Sequence, residues 1–202
     1  MTTREISPQE LINKRAEKVI AIASSKGGIK ALETILSELP ANFSASIIIV
    51  QHLSAHFKSY LADILNGKTS LKVKRAEEGN VLSPGAVYVA PPDHHVIVNR
   101  DGSVSLSHAE KEHFVRPSAE YTFKSLAENY RQKAIAIVLT GYDSDGSKGV
   151  REIKAMGGKV IAQDKETSQV FGMPQSAIET GCVDLVLPLN KIADTIINMV
   201  NN

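Results

Sequence analysis

Three stretches of the chain are apolar at every position: Val19–Ala23, Ile47–Val50 and Ala134–Leu139. Each is too short for a typical helix, and β-branched or small residues fill it, as in strands covered on both faces of a parallel sheet. Each stops at polar residues or glycines, and helical spacing then takes over. After the first, Ser24-Ser25-Lys26-Gly27-Gly28 gives way to Ile29, Leu32, Ile35, Leu36 and Leu39 at helical intervals before Pro40. The pattern predicts strands over residues 19–24, 46–51 and 134–140. Helices are expected over 28–38, from Ser54 to Leu65, and from Ser147 to Met156 before two glycines. A strand that enters a helix through a tight turn sets that turn at the C-terminal edge of an open α/β sheet, where such sheets hold their ligands.

The middle third has a different rhythm. Short runs at Leu71–Arg75, Ala86–Ala90, His95–Val98 and Ser103–Leu106 are separated by Gly79-Asn80, Ser83-Pro84-Gly85, Pro91-Pro92-Asp93 and Arg100-Asp101-Gly102. Asp-Gly between two alternating runs is a hairpin signal. This section is expected to form an antiparallel or mixed sheet portion with loops folding over one edge. Beyond it, Pro117 or Ser118 opens a helix to Tyr130. A strand follows at Lys159–Ala162, a helix near Gln175–Thr180, a strand at Val183–Leu187 and a last helix at Asn190–Val200. At the other end, Ser7, Pro8 and Glu10 form a capping-box start, which predicts a helical extension over residues 1–18 ahead of one domain over 19–202.

Composition narrows the class. The 202 residues suffice for one substantial core, and 43% hydrophobic with 22% charged residues is ordinary for a globular protein. A net charge of +1 with no basic run argues against a nucleic-acid partner, as do the missing tryptophan and 5% aromatics. A lone cysteine, Cys182, excludes an internal disulfide and fits a reducing compartment. No apolar run has the length of a membrane span, and the polar start lacks a secretory core. The expectation is a cytoplasmic protein with no membrane insertion.

Chemistry-bearing residues stand at the ends of the three apolar strands: Ser24 and Ser25, then His52, then Asp143 and Asp145. In a parallel sheet all of them share one edge, where they can form a nucleophile, a base and an orienting carboxylate. The order Ser, His, Asp differs from that of the α/β-hydrolases and of the familiar serine proteases, and the G-x-S-x-G elbow is absent. Each residue also has a plain structural reading. Either serine suits a helix N-cap, His52 a cap or core position, and either aspartate a cap for the next helix. Spacing alone chooses neither between the serines nor between the aspartates. The Lys26–Lys30 segment lacks the full phosphate-loop pattern, and the Asp143–Gly146 segment lacks the first ligand of a calcium loop. His52 with His56, and His94 with His95, have no third ligand at metal spacing and read as surface or loop histidines, so no metal is expected.

A wider set of motifs resembles the catalytic domain of the chemotaxis protein-glutamate methylesterases, the CheB family. Ile22-Ala23-Ser24-Ser25-Lys26-Gly27-Gly28 stands for the family's I-G-A-S-T-G-G, Val50-Gln51-His52 for V-Q-H and Arg116-Pro117-Ser118 for R-P-S. Pro84–Pro91 matches P-G-x-x-Y-x-A-P, and Leu139–Gly146 matches L-T-G-M-G-x-D-G. The run Ala162–Pro174 and the segments Ala177–Glu179 and Val183–Leu189 extend the likeness over roughly residues 19–199. The resemblance implies a doubly wound three-layer α/β sandwich with a mostly parallel sheet. It implies Ser25 as nucleophile, His52 as general base and Asp145 as orienting carboxylate. The Tyr142 N–H and the turn of Lys26, Gly27 and Gly28 then hold the oxyanion and substrate, with no cofactor. The implied substrate is the γ-glutamyl methyl ester, or the glutamine amide, on the cytoplasmic helices of a methylated chemoreceptor. The alternatives are a serine esterase or amidase with another substrate, and a catalytically weak receptor-binding module. Oligomeric state is left open.

Three departures accompany the likeness. About 18 residues stand where the family usually places a receiver domain, so the expectation is a stand-alone form. Lys26 replaces the family threonine. Tyr142-Asp143 replaces Met-Gly, which raises the question of a positive φ at Asp143 and of a Lys26–Asp143 ion pair across the site.

Overall fold

β1 (Val19–Ser24) is buried at all six positions and lies at the middle of the sheet. In this computed structural model, which describes residues 15–53, 59–112 and 114–201, β1 pairs in parallel with β2 (Ser46–Gln51) on one side and β7 (Ala134–Val138) on the other. β3 (Lys72–Arg75) and β4 (Ala86–Val89) extend the sheet beyond β2, and β8 (Lys159–Gln163) and β9 (Leu185–Leu187) extend it beyond β7. The order is β3-β4-β2-β1-β7-β8-β9, seven strands, all parallel.

The two-residue period of the strands divides the core into two layers. Ala21, Ala23, Ala134 and Ala136 face one side, where their small side chains let the helices approach. Those helices are α3 (Ala119–Tyr130), α4 (Ser147–Ala155) and α5 (Gly172–Glu179), which contribute Phe123, Leu126, Val150, Ile153 and Met173. Ile20, Ile22, Ile47, Ile49 and Ile137 face the other side, against α1 (Gly28–Ser37), α2 (Leu61–Asn66) and α6 (Leu189–Asn201). Helices on both faces of a parallel sheet make the doubly wound three-layer arrangement. The chain winds outward from β1 toward β3, then returns to β7 and winds the other way. The crevice where the strand order reverses, at the C-terminal ends of β1 and β7, is the topological switch point.

The middle third is mixed, as expected, with a small antiparallel portion beside the main sheet. Among the described strands, β5 (His95–Val98) and β6 (Val104–Ser107) pair antiparallel, with Val98 opposite Val104 around the Asp101-Gly102 turn. β3 and β4 instead join the main sheet in parallel. Their connection over residues 76–85 runs out to meet the hairpin, where Gly79 N–H donates to the Val104 carbonyl and Val81 bridges Ser103. Alternation within a short run does not encode the direction of its partner. β3 can serve as an edge because Lys72, Lys74 and Arg75 are exposed along it and discourage further pairing.

Helix α5 starts earlier than expected, because Pro174 falls in its first turn, where a missing N–H costs nothing. The helix expected from Ser54 is described only from Leu61, with Ser59 and Tyr60 irregular and residues 54–58 outside the described chain. The expected N-terminal helix also lies outside the described residues except for Arg15–Lys18. These run as irregular chain, with Ala16 buried and its N–H donating to the Leu82 carbonyl. Among the described residues no helix is long and apolar enough to cross a membrane.

Candidate active site

β1 ends in a turn whose two glycines, Gly27 and Gly28, leave no room for a side chain. Gly27 sits at φ 83°, the left-handed region, and an added Cβ would lie 2.6 Å from Gln169 Oε1. The two serines are separated by burial. Ser24 is fully buried, and its Oγ donates to Gln51 Oε1 at 2.7 Å. The Gln51 amide donates in turn to the carbonyls of Ser25 at 2.8 Å and His52 at 3.1 Å. Ser25 is half-buried and lines an open cavity of about 540 Å³ together with Lys26, Ile29, His52, Leu53 and Tyr142. Neither serine caps α1, whose N-cap is Gly27 without a side-chain bond.

His52 follows β2, held by its N–H on the Ser24 carbonyl at 3.0 Å. Its ring faces two carboxylates. Nε2 lies 2.8 Å from Asp145 Oδ2, and Nδ1 lies 3.4 Å from Asp143 Oδ2. Nδ1 is buried and makes no hydrogen bond, so the Asp143 contact is a charge–charge approach, and the Ser25 Oγ bond to this ring is not made in this state. Burial works to lower the His52 pKa, but Asp143 and Asp145 together outweigh it and raise it from 6.5 to about 9.

Asp145 is fully buried and held from behind by the start of α3. Ser118 Oγ donates to Oδ1, and Ala119 N–H donates to Oδ2 at 2.7 Å. Ser118 is the N-cap of α3, so the carboxylate also sits at the positive end of that helix. Glu120, two residues on, ties down the other end of the Asp145 loop. Its carboxylate accepts from the N–H groups of Gly146, Lys148 and Gly149, which cap α4, while burial pushes its carboxyl pKa up. Asp145 therefore caps no helix of its own. The N-cap of α4 is Gly146, without a side-chain bond.

Several backbone donors around Ser25 are already committed. Ser25 N–H donates to the Thr140 carbonyl, Gly28 N–H to the Ser25 carbonyl and Gly141 N–H to the Val170 carbonyl. The N–H groups of Lys26, Gly27 and Tyr142 donate to no backbone acceptor among the described residues. Gly141 presses this loop onto the serine turn, since a Cβ there would lie 2.9 Å from Ser25 Cβ. The site thus brings together a half-exposed hydroxyl, a carboxylate-bound imidazole and unspent N–H donors.

The family model for the CheB methylesterase matches residues 20–196. This chain belongs to the CheB methylesterase family. A Thermotoga maritima relative, a protein-glutamate methylesterase/protein-glutamine glutaminase, is 45% identical over 186 residues, covering 91% of this chain and 54% of that protein. A Methanosarcina mazei relative bearing the same name with the suffix 2 is 41% identical, covering 90% and 52%. A Leptospira interrogans relative is 42% identical, covering 92% of this chain and 96% of that protein. The crystal structure of the Thermotoga maritima CheB methylesterase catalytic domain superposes with a TM-score of 0.87 at 44% identity, covering 90% of this chain and 98% of that one. This chain spans about half the length of the Thermotoga and Methanosarcina relatives.

Within this CheB-family chain, the departures resolve individually. Asp143 keeps a negative φ: among the described non-glycine residues only Asp93, Phe114 and Arg131 are at positive φ, so the lost glycine imposes no strain. Asp143 pairs with His52, and Lys26 is exposed, with no ion pair to it. Tyr142 projects its ring outward, 71% exposed. His95 corrects the surface or loop reading, for it is fully buried. Its Nδ1 accepts from Ser118 N–H at 3.1 Å, which leaves Nε2 to donate to the Glu110 carbonyl. Among the described residues no group of three or more His, Cys, Asp or Glu could hold a metal. Gln51, Ser118 and Glu120 were not singled out as functional by sequence reasoning. The available signal was a polar residue next to a strand end or in the first turn of a helix, which is also where ordinary caps occur.

Proposed function

We propose that this chain carries protein-glutamate methylesterase activity, hydrolysing γ-glutamyl methyl esters on the cytoplasmic helices of a chemoreceptor. The observation that carries the reading is the switch-point cavity lined by both Ser25 and a histidine whose Nε2 is held by buried Asp145. Ser25 Oγ attacks the ester carbonyl while His52 Nδ1 takes its proton, a step to which a positioned base contributes roughly 10²–10⁴-fold. Asp145 keeps the opposite nitrogen protonated and stabilises the imidazolium. The tetrahedral oxyanion accepts hydrogen bonds from the N–H groups of Tyr142 and of the Lys26–Gly27 turn, each donor contributing on the order of 10²–10³-fold. Collapse breaks the bond to the methoxy oxygen, which leaves as methanol with the proton from His52. Water then attacks the Ser25 ester, His52 takes its proton and returns one to Ser25, and a glutamate carboxylate is released.

The names of the relatives support glutamine deamidation at the same site, by the same steps with ammonia leaving. Ile29, Leu53 and Tyr142 beside Lys26 and Lys30 give the cavity wall an apolar and cationic character suited to an acidic amphipathic helix. A substrate on cytoplasmic receptor helices supports a cytoplasmic location for this protein. The test is methanol release from a methylated receptor fragment. Wild-type protein releases methanol and Ser25→Ala does not; equal release by Ser25→Ala refutes the mechanism.

A further inference from the structure

We propose that Asp143 is a positioning residue for His52, a second carboxylate that keeps Nδ1 protonated and so withholds the base from Ser25 near neutral pH. The proposal deepens the hydrolase reading above and rests on Ser25 and His52 acting together.

The geometry leaves little room for a neutral ring. An imidazole with one proton presents a donor at one nitrogen and a lone pair at the other. Here Nε2 faces Asp145 Oδ2 at 2.8 Å and Nδ1 faces Asp143 Oδ2 at 3.4 Å. A lone pair on either nitrogen would point toward a carboxylate, whereas a doubly protonated ring is attracted to both. The general-base step needs Nδ1 unprotonated and facing the Ser25 hydroxyl, so Asp143 and Ser25 compete for the same atom.

Asp143 is also held in place for this role. Its Oδ1 accepts the Asp145 N–H at 2.9 Å, a bond that closes the loop on itself and leaves Oδ2 aimed at the ring. Its backbone is unstrained. Among the described residues, the titratable groups around His52 are Asp143 and Asp145 on the β7–α4 loop, Tyr142 on the same loop, Lys26 on the β1–α1 turn and Lys30 on α1. The two lysines are exposed, and water screens them. The carboxylates are closer and more buried, and their side chains are 33% and 0% exposed against 8% for His52. The result is an imidazole titrating near 9. At about pH 7 such a group is neutral in only about one molecule in a hundred.

Asp143→Asn tests this, because the amide oxygen still accepts the Asp145 N–H while the charge is gone. Two measurements on the full chain are needed: the His52 ring titration by NMR, assigned by difference from His52→Gln, and the pH dependence of Ser25 labelling by a fluorophosphonate. The expected result is a His52 pKa lowered by one unit or more from about 9. Labelling at about pH 7 then rises roughly tenfold per unit, with a change under about twofold well above the wild-type pKa. Asp143→Gly, which restores the family residue, should shift the titration in the same direction and guards against an effect of the amide itself. A His52 titration unmoved in both folded variants overturns the proposal. Shifted titration and faster labelling without methanol release by any form uphold it, while removing the methyl-ester substrate from the reading above.

Discussion

Removing the Ser118 hydroxyl should destabilise the fold by about 3 kcal/mol, a large effect for a residue that never touches the cavity. Ser118 is fully buried, donates to Asp145 Oδ1 and accepts the Glu120 N–H at 3.2 Å. A hydrogen bond to a buried charged group is worth about 1.5–3 kcal/mol, and its loss leaves one carboxylate oxygen without that donor. Loss of an N-cap adds about 0.5–2 kcal/mol. The two effects share one oxygen and one helix end, so they combine less than additively. For a chain of this size each kcal/mol shifts Tm by about 2–4 °C, so Ser118→Ala should melt about 6–12 °C lower. Urea unfolding followed by far-UV circular dichroism should show a lower midpoint at unchanged slope. Ser118→Gly separates the two contributions, since glycine costs only about 0.3 kcal/mol as a cap while still losing the Asp145 bond. It should therefore be the milder variant, yet still clearly destabilised. A loss below about 1 kcal/mol in Ser118→Ala would refute the view that α3 holds Asp145 through this hydroxyl.

Stability should also depend on pH through His52. Its folded-state pKa is raised from 6.5 to about 9, so the folded state binds the proton more tightly than the unfolded chain does. That contribution, about 3 kcal/mol, is fully present below about pH 6.5 and lost as pH rises through about 9. Urea unfolding across this range should show the loss in wild type and not in His52→Gln; parallel curves would refute it. Gly141→Ala should damage both packing and chemistry, because the new Cβ would lie 2.1 Å from Met173 Sδ and 2.9 Å from Ser25 Cβ. Overpacking of this kind costs about 1–3 kcal/mol. Adding Met173→Ala should recover Tm without recovering Ser25 labelling, and recovery of both would mean that the loop does not set the position of Ser25.

Much of the architecture was legible because it is written in local pattern. Ile20, Ile22, Ile47, Ile49 and Ile137 are buried on one face, and small or β-branched residues from Val19 to Val138 are buried on the other, as strands covered on both sides require. The hairpin at Asp101-Gly102 was equally local. The parallel pairing of β3 with β4 was not, since it depends on where residues 76–85 travel, and they travel to a hairpin that comes later in the chain. His95 was misread for a related reason: a histidine becomes a core residue only when a distant N–H and a distant carbonyl, here those of Ser118 and Glu110, meet its two nitrogens.

The candidate site divides along the same line. Sequence placed a serine, a histidine and an aspartate at the ends of three buried strands, and the family motifs singled out Ser25 and Asp145. The strands' apolar periodicity is a property of neighbouring residues, so no tertiary information was needed to put those groups on one edge. Which carboxylate faces which imidazole nitrogen is different. It depends on how the β7–α4 loop is clamped by Ser118 and Glu120 from α3, and on Asp143 folding back onto its own loop through the Asp145 N–H. The clamping contacts join residues 26 and 27 positions apart, and the Asp143 bond is local, but all are single hydrogen bonds that leave no periodic trace. Sequence by itself therefore put His52 on the same sheet edge as Ser25, and only the tertiary structure decided that a second carboxylate, Asp143, faces its ring.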